Sequence, residues 1–296
     1  MSELISGKVI GASINEELRK EVDQLKSNGI EPCLAVVLVG EDPASEVYVR
    51  NKKRTCGEIG IRSIGHDLPA STTQEELENL IKNLNDDPAV HGILCQFPLP
   101  KELDETRVIL AISPDKDVDG LHPLNAGLIA MGQPKFISCT PYGVLQMLKR
   151  SGISTSGKNA VVLGRSNLVG RPIATLLSSK GWDATVTVCP SRTANLAEVT
   201  SQADILVAAI GIAEFVKADM VKPGAVVIDV GINRIDDPSK ASGSRMVGDV
   251  AFKEVEEKAS FITPVPGGVG PMTIAMLMAN TVKAARWLNG MGEMDL

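Results

Sequence analysis

The sequence has few cysteines and histidines, and none at a spacing that indicates a shared bond or a metal. Its five cysteines are odd in number and include no CxxC pair, so neither a disulfide framework nor a zinc site is indicated. The three histidines form no HExxH or other paired pattern, which argues against metal ligation. We therefore expect a protein of a reducing compartment that holds no metal.

Long apolar runs and biased segments are absent as well. No apolar run approaches the roughly 18 residues that a membrane-spanning helix needs. The N-terminal stretch lacks a basic segment followed by an apolar core, so a secretory signal is not expected. Hydrophobic residues make up 44% and charged residues 22%, as in ordinary folded soluble proteins. A net charge of −6 argues against a general binder of nucleic acid or anionic membrane, and we expect a cytoplasmic protein.

The first half of the chain alternates helical and strand patterns. With 296 residues, the chain is long for a single core, so two domains or one large α/β unit are expected. Capping boxes at Ser13/Glu16 and Thr72/Glu75 predict two helix starts. Between and after them, CLAVVLVG is an apolar run of strand length and AVHGILCQFPLP reads as a strand that ends in a proline-bounded loop. This alternation predicts a parallel sheet covered by helices, with ligands beyond the carboxyl ends of its strands.

The second half restarts the pattern after a helix predicted to begin at Thr140 and Pro141. The runs NAVVLG, ATVTV, DILVAAI and GAVVIDVG read as strands, which predicts a second sheet of the nucleotide-binding type. The last stretch passes from a short strand through a glycine-rich turn into one long helix. We expect this helix to pack back on the first domain, which would then be discontinuous in sequence.

The segment YVRNKKR, residues 48–54, concentrates cations against an acidic overall balance. Asp42 and Pro43 predict a helix start before it, and Gly57 or Gly60 can end that helix. Tyr48 and Lys52 then stand one turn apart on one helix face. From this stretch alone, a solvated basic surface and a reactive site remain alternatives.

The segment GRSNLVG follows one of the predicted strands and opens a helix, where a dinucleotide pyrophosphate can bind exposed N–H groups. Its glycines spell GxSxxxG rather than GxGxxG, and as a bare pattern this is weak evidence. The end of the next strand, CPSRT, provides Ser191 and Arg192, and Arg165 lies in the first turn. Because no carboxylate stands there to repel a 2′-phosphate, NADP is favoured over NAD.

Two further loops are rich in residues that permit tight turns or bind ligands. In TPVPGGVGPMT, three glycines fit either a tight strand-to-helix connection or close approach of the backbone to a ligand. In DKDVDG, alternate aspartates resemble a calcium loop, but Ala126 stands where that loop needs glutamate at its twelfth position. Calcium binding is therefore not expected.

Six motifs in order, YVRNK, QFPLP, DKDVDG, GRSNLVGRP, DVGIN and PVPGGVGPMT, resemble the bifunctional methylenetetrahydrofolate dehydrogenase/cyclohydrolase family over nearly the whole chain. The resemblance implies an α/β fold with a parallel-sheet substrate domain and a Rossmann-like NADP-binding domain, with the active-site cleft between them. The implied folate domain is residues 1–140 completed by the C-terminal helix 272–296, and the implied NADP domain is residues 141–271. Tetrahydrofolate derivatives, NADP and a second copy of the chain are the implied partners, without nucleic acid or membrane.

The resemblance also assigns residues to roles. Lys52, Tyr48 and Gln96 are the implied catalytic residues and also contact the substrate. Asp119 is implied to bind the pterin, and Gly268, Val269 and Pro271 to form a folate-contacting turn. The implied cofactor-binding residues are Gly164, Arg165, Ser166, Val169, Gly170, Ser191, Arg192, Gly211 and Ile232. Two departures from the family pattern are Pro190, where histidine is frequent, and Phe97, where an aliphatic residue is common.

The implied chemistry explains the basic segment. Oxidation of the methylene group needs mainly alignment of folate and nicotinamide, whereas hydrolysis of the methenyl product needs a group that accepts and returns protons. We expect Lys52 to be that group, with its cationic neighbours favouring the neutral amine. A dehydrogenase without the hydrolytic step and a non-catalytic folate or NADP sensor are the alternatives, and the sensor is disfavoured by the intact Tyr48 and Lys52 pair.

Overall fold

The computed structural model describes residues 2–240, 243–292 and 294. The chain forms two compact units, each discontinuous in sequence: unit 1 is Met1–Gly11, Ile129–Gln133 and Thr140–Thr273, and unit 2 is Ala12–Leu128, Pro134–Cys139 and Ile274–Leu296. Positions 1, 241–242, 293 and 295–296 of the predicted domain ranges lie outside the described residues.

Strands and helices alternate along most of the described chain. In chain order they are β1 Glu3–Leu4, α1 Gly7–Ser27, β2 Cys33–Val39, α2 Pro43–Ile59, β3 Arg62–Leu68, α3 Gln74–Asp86, β4 Gly92–Cys95, α4 Glu105–Ala111, α5 Pro123–Ala130, α6 Cys139–Arg150, β5 Asn159–Leu163, α7 Gly170–Ser178, β6 Thr185–Cys189, α8 Leu196–Thr200, β7 Ile205–Ala208, β8 Val226–Asp229, β9 Asn233–Asp236, β10 Ser244–Val247, α9 Phe252–Glu256, β11 Phe261–Ile262 and α10 Val269–Leu288. None of these helices has the length and apolar composition of a membrane span.

Unit 2 is built on a three-stranded parallel sheet in the order β3-β2-β4. All seven residues of the central strand β2 are buried, which explains its continuous apolar run. Helix α3 buries Leu77, Ile81 and Leu84 from one face in the same core as alternate residues of β2. The C-terminal part of α10 belongs to this unit, where Asn280 Nδ2 donates to the carbonyls of Val118 and Ile137 at 2.8 and 2.9 Å.

Unit 1 contains a six-stranded parallel sheet in the order β1-β11-β8-β7-β5-β6. The predicted strands of the second half all lie in it. A separate antiparallel pair, β9 and β10, follows β8. Strand β5 has β6 on one side and β7 on the other, so the order of the strands reverses there. In open α/β sheets, this reversal is the place where a crevice forms at the carboxyl edge.

The N-terminus differs from its predicted position. The predicted domain boundaries group residues 1–140 together, but β1 pairs in parallel with β11 in the sheet of unit 1. The first helix also begins earlier, at Gly7 rather than at Ser13. Ser6 lies before this start and its Oγ accepts the N–H of Val9 at 3.4 Å, whereas Ser13 lies within the helix and donates to Glu17.

Two other helix starts shift by one residue. The capping box of α3 is formed by Thr73 and Glu76 instead of Thr72 and Glu75. The hydroxyl of Thr72 donates to the Pro69 carbonyl at 2.7 Å and so closes the preceding turn. Helix α6 begins at Cys139, one residue before its predicted cap. Adjacent threonines have the same local preference, so tertiary contacts decide which one caps.

Candidate active site and cofactor edge

Helix α2 carries the basic segment and fixes its orientation. The predicted start is confirmed, because the Asp42 carboxylate accepts the N–H of Ser45 at 2.8 Å and Pro43 opens the helix. Of the two predicted stops, Gly60 is the one used, with a left-handed φ of 93°. On this helix, Lys52 is only 9% exposed, whereas Tyr48 is 41% exposed. A lysine so deeply buried is unusual for a solvated basic surface.

The amine of Lys52 meets Gln96, which lies 44 residues away in the sequence. Lys52 Nζ donates to Gln96 Oε1 at 2.9 Å. Gln96 follows β4, and its N–H donates to the Val37 carbonyl at 2.9 Å, so its backbone continues the strand ladder. Its Nε2 donates to the Phe97 carbonyl at 2.6 Å. The amide is therefore held at its nitrogen and presents its oxygen to the lysine.

Two other cations of the segment face carboxylates. Lys53 Nζ lies 3.5 Å from an Asp67 carboxylate oxygen, and Arg54 Nε lies 3.5 Å from a Glu58 carboxylate oxygen. Residues one and two positions apart on a helix point in different directions. Lys53 and Arg54 thus face carboxylates of their own, and the expected effect of the cationic neighbours on Lys52 stays a prediction.

The DKDVDG loop is anchored by a buried carboxylate that the sequence did not single out. Asp117 accepts the N–H groups of Leu121 and His122 at 3.1 and 2.8 Å, and Nδ2 of Asn125 at 2.8 Å. Burial raises the pKa of Asp117 above its ordinary value, although these hydrogen bonds oppose the rise. The anchored loop leaves Asp119, two residues on, partly exposed.

The charges of Asp119 and Lys52 both act on Cys139. The thiol is buried, and its Sγ donates to the Val118 carbonyl at 3.4 Å. Burial, followed by the negative charge of Asp119, raises the pKa of Cys139 well above its ordinary value, while the positive charge of Lys52 opposes the rise. Lys52 and Gln96 are thus in contact in unit 2, and Asp119 lies near Cys139 in the same unit. Nothing in the spacing of the cysteines could have indicated this position.

In unit 1, four strands end in one row at the carboxyl edge of the sheet. Cys189, Leu163, Ala208 and Asp229 are the last residues of β6, β5, β7 and β8, and they pair in register across the sheet. The loops that follow this row carry most of the predicted cofactor residues. Those that are exposed are Arg165, Ser166, Ser191, Arg192, Gly211 and Ile232.

The glycines after β5 are required by close packing. A Cβ on Gly164, which has a φ of 104°, would lie 2.1 Å from the Ala209 carbonyl oxygen, and one on Gly170 would lie 2.3 Å from the Gly164 carbonyl oxygen. Helix α7 then begins without a side-chain cap at Val169. The Ser166 hydroxyl accepts the N–H groups of Val169 and Gly170 at 3.2 and 3.4 Å.

This edge fits a phosphorylated dinucleotide. The turn brings the backbone close to a helix N-terminus, which favours a pyrophosphate, and exposed Arg165 and Arg192 are suited to bind a further phosphate. Among the described residues, no group of three or more His, Cys, Asp or Glu side chains could hold a metal ion.

The glycine-rich turn before α10 is tightly packed within unit 1. A Cβ on Gly268 would lie 2.4 Å from the Pro264 carbonyl oxygen, and one on Gly7 would lie 1.8 Å from the Gly268 carbonyl oxygen. Val269 is 4% exposed, so its side chain faces the interior. Pro271 is partly exposed. These contacts support the tight connection and leave mainly backbone for any ligand at Gly268 and Val269.

Comparison with known proteins decides the family. The model of the tetrahydrofolate dehydrogenase/cyclohydrolase catalytic domain matches residues 5–119, and the model of the NAD(P)-binding domain of the same enzymes matches residues 138–289. The chain belongs to the tetrahydrofolate dehydrogenase/cyclohydrolase family. It is 56% identical over 293 residues to the bifunctional protein FolD of Chlorobium chlorochromatii, covering 97% of this chain and 99% of that protein.

Solved structures agree with this assignment. The bifunctional FolD enzyme of Campylobacter jejuni superimposes with a TM-score of 0.92 at 49% identity, covering 97% of this chain and 99% of that one. The FolD enzyme of Trypanosoma brucei, solved with NADP cofactor and an inhibitor, gives a TM-score of 0.91 at 40% identity, covering 97% and 98%. In this dehydrogenase/cyclohydrolase, the catalytic-domain match includes Lys52, Gln96 and Asp119, and the NAD(P)-domain match includes the exposed residues at the carboxyl edge.

Proposed function

We propose that this chain oxidises 5,10-methylenetetrahydrofolate to the 5,10-methenyl form with NADP and then hydrolyses that product to 10-formyltetrahydrofolate. The observation that carries the proposal is the contact between Lys52 and Gln96 inside a matched catalytic domain. A buried amine held by a single amide suits proton transfer. This favours the bifunctional enzyme over a dehydrogenase that lacks the hydrolytic step.

The oxidation depends on alignment. NADP, when bound, supplies the acceptor for the hydride that leaves the methylene carbon. The chain contributes the binding: Gly164, Ser166, Val169 and Gly170 shape the turn for the pyrophosphate. Gly211 and Ile232 contact the cofactor from the loops after β7 and β8.

The preference for NADP over NAD depends on the residues of the same edge that would bind the adenosine half of the cofactor. Arg165, Ser191 and Arg192 bind the 2′-phosphate, and NADP is therefore preferred over NAD. The FolD structure of Trypanosoma brucei was solved with NADP, which supports this choice.

The hydrolysis depends on proton handling. Water adds to the methenyl carbon and loses one proton to a base. One C–N bond then opens as its nitrogen is protonated, and the hydroxyl on the carbon loses its proton to solvent to leave the formyl group. Lys52 accepts the first of these protons and returns it to the departing nitrogen. Gln96 holds the amine in place, and Tyr48, one turn earlier on α2, positions the folate.

The remaining contacts hold the substrate. The two oxygens of Asp119 accept hydrogen bonds from neighbouring N–H donors of the pterin. Gly268, Val269 and Pro271 contact the folate, the first two through their backbone because they are buried. Tetrahydrofolates with additional glutamates are accepted as well.

We further propose that residues 12–128 with the C-terminal part of α10 form the folate-binding unit and that residues 141–271 with β1 form the NADP-binding unit. The active enzyme is a cytoplasmic homodimer. The five buried free thiols are consistent with a reducing compartment. Sedimentation of the purified chain tests the dimer, and a monomer would refute it.

The function is tested by incubating the protein with methylenetetrahydrofolate and NADP. Methenyl absorbance and 10-formyltetrahydrofolate are followed together. We expect transient methenyl absorbance and steady accumulation of the 10-formyl product. Accumulation of methenyltetrahydrofolate without hydrolysis beyond the spontaneous rate would indicate a dehydrogenase alone.

A further inference from the structure

Two buried carboxylates lie beneath the loops at the carboxyl edge of the sheet in unit 1. Asp229 is the last residue of β8 and is 3% exposed, and Asp249 follows β10 and is fully buried. The proposed reaction uses neither of them directly. Buried carboxylates are costly unless they are fully hydrogen-bonded, so their partners indicate why they are there.

Asp249 joins the loops after two neighbouring strands. Its Oδ2 accepts the N–H groups of Ile210 and Gly211, after β7, at 2.7 and 2.9 Å. Its Oδ1 accepts Nδ2 of Asn233, after β8, at 2.9 Å. Gly211 and Ile232, both assigned to the cofactor, therefore lie in segments that this carboxylate holds in place.

Asp229 holds the backbone segment that carries Asp249. It accepts the N–H groups of Gly231, Asp249 and Val250 at 3.0, 2.9 and 3.0 Å. Together the two carboxylates accept bonds from six N–H donors, which suits ionised groups. Burial, with the charge of Asp249 adding to it, raises the pKa of Asp229 to about 7 against the opposing hydrogen bonds.

The backbone surrounds the pair closely. A Cβ on Gly231 would lie 2.2 Å from Asp249 Oδ1, and one on Gly248 would lie 1.7 Å from Asp229 Oδ2. The negative charge is thus enclosed by main chain rather than by solvent. Charges in such an environment act over longer distances than they do in water.

The order of the strands indicates which half of a bound dinucleotide would lie near the charge of Asp229 and Asp249. The residues proposed for the 2′-phosphate, Ser191 and Arg192, follow β6 on one side of β5. A dinucleotide that crosses the reversal point at β5 then extends its nicotinamide half over β7 and β8. The nicotinamide ring is cationic in NADP⁺ and neutral in NADPH.

We infer that the Asp229–Asp249 pair sets the preference of the cofactor site for oxidised over reduced nicotinamide. This inference rests on the proposed NADP function. The pair acts through its charge and through the loops it orders, so these are positioning residues rather than catalytic ones. Removal of one charge should lower the preference for NADP⁺ over NADPH by about 3- to 10-fold, the size expected for a nearby charge at intermediate dielectric.

The test measures equilibrium binding at pH 8, above the pKa of about 7 of Asp229. Dissociation constants for NADP⁺, NADPH and 2′-phospho-ADP-ribose are determined for the wild type and for Asp249→Asn. An asparagine keeps the size of the side chain, and Asn233 can turn its amide to match it. The third ligand lacks nicotinamide and reports whether the phosphate end is intact. We expect the ratio of the first two constants to change while binding of 2′-phospho-ADP-ribose stays within about twofold.

A matched control makes the same aspartate-to-asparagine change at the opposite, amino-terminal edge of the sheet in unit 1. Asp204 precedes β7, where it accepts the N–H of Asn159 at 2.9 Å and the Lys222 amine at 2.6 Å. Asp204→Asn should leave all three affinities in their wild-type ratio. Asp229→Asn provides a second removal of charge if Asp249→Asn does not fold.

Three results would overturn the inference. One is an equal loss of affinity for all three ligands, which would show a purely structural role. Another is an unchanged ratio of the NADP⁺ and NADPH dissociation constants with normal binding. The third is failure of both variants to fold, which would show that the pair builds the domain. A wild-type protein that binds none of the three ligands would instead refute the proposed NADP function, so the two failures are distinguishable.

Discussion

Replacement of Lys52 by methionine should separate the two proposed activities. Methionine keeps much of the length of the side chain and removes the amine. Hydrolysis of the methenyl group should fall by at least ~100-fold, the lower range for loss of a general acid–base group. Oxidation of the methylene group depends on the placement of folate and nicotinamide, so part of it should survive. Methenyltetrahydrofolate would then accumulate during turnover.

The structure indicates that this variant folds. The change removes one hydrogen bond, that from Lys52 Nζ to Gln96 Oε1, a loss of about 0.5–1.5 kcal/mol. Burial of the methionine at a position only 9% exposed offsets part of that loss. Gln96 remains anchored because its Nε2 still donates to the Phe97 carbonyl. The net loss stays well below the roughly 5–15 kcal/mol of a typical folded domain.

The assay follows methenyl absorbance and 10-formyltetrahydrofolate in the same reaction. Lys53→Met is the matched control, since it makes the same change at the next residue, whose amine faces Asp67. We expect near-normal hydrolysis in the control. If Lys52→Met retains full hydrolysis, or if both variants lose it equally, the catalytic assignment of Lys52 is wrong and the segment is a basic surface.

Three further predictions address other parts of the chain. Asp119→Asn should weaken folate binding at least ~10-fold, because an amide presents a donor where two acceptors are needed; unchanged affinity by titration would remove Asp119 from the site. Arg165→Ala should weaken NADP far more than NAD, and equal losses in their dissociation constants would place the phosphate elsewhere. Burial, with the nearby charge of Lys116, lowers the pKa of His91. The unfolded chain therefore binds this proton first, and the free energy of unfolding should fall as pH drops below about 6.5, with a flatter slope for His91→Gln in urea titrations.

Much of the architecture could be predicted because it depends on local patterns. The fully apolar run of β2 and the single apolar face of α3 predict a buried strand and a helix that covers it. Helix ends depend on contacts beyond the local pattern. Thr72 and Thr73 have the same capping preference, and the second caps α3 because the first closes the turn at Pro69.

The position of the N-terminus could not be predicted in this way. Strand β1 is only two residues long, and it is held by pairing with β11, more than 250 residues away in the sequence. So short a strand has no periodicity to read, and its domain follows only from the strand order.

The sequence by itself determined the residue types of the site and their places on helices and strand ends. Tyr48 and Lys52 share a helix face because four residues make about one turn. The order of six motifs was enough to indicate the family.

Only the tertiary structure decided which of these residues act together. The packing of α2 buries Lys52 and sets its amine against Gln96, while Lys53 and Arg54 meet carboxylates instead. Folding also places Cys139 beside Asp119, and Asp249 beneath the loop of Gly211. The physical reason is that local propensities act over a few residues, whereas charge, burial and hydrogen bonding at a site depend on segments that only the fold brings together.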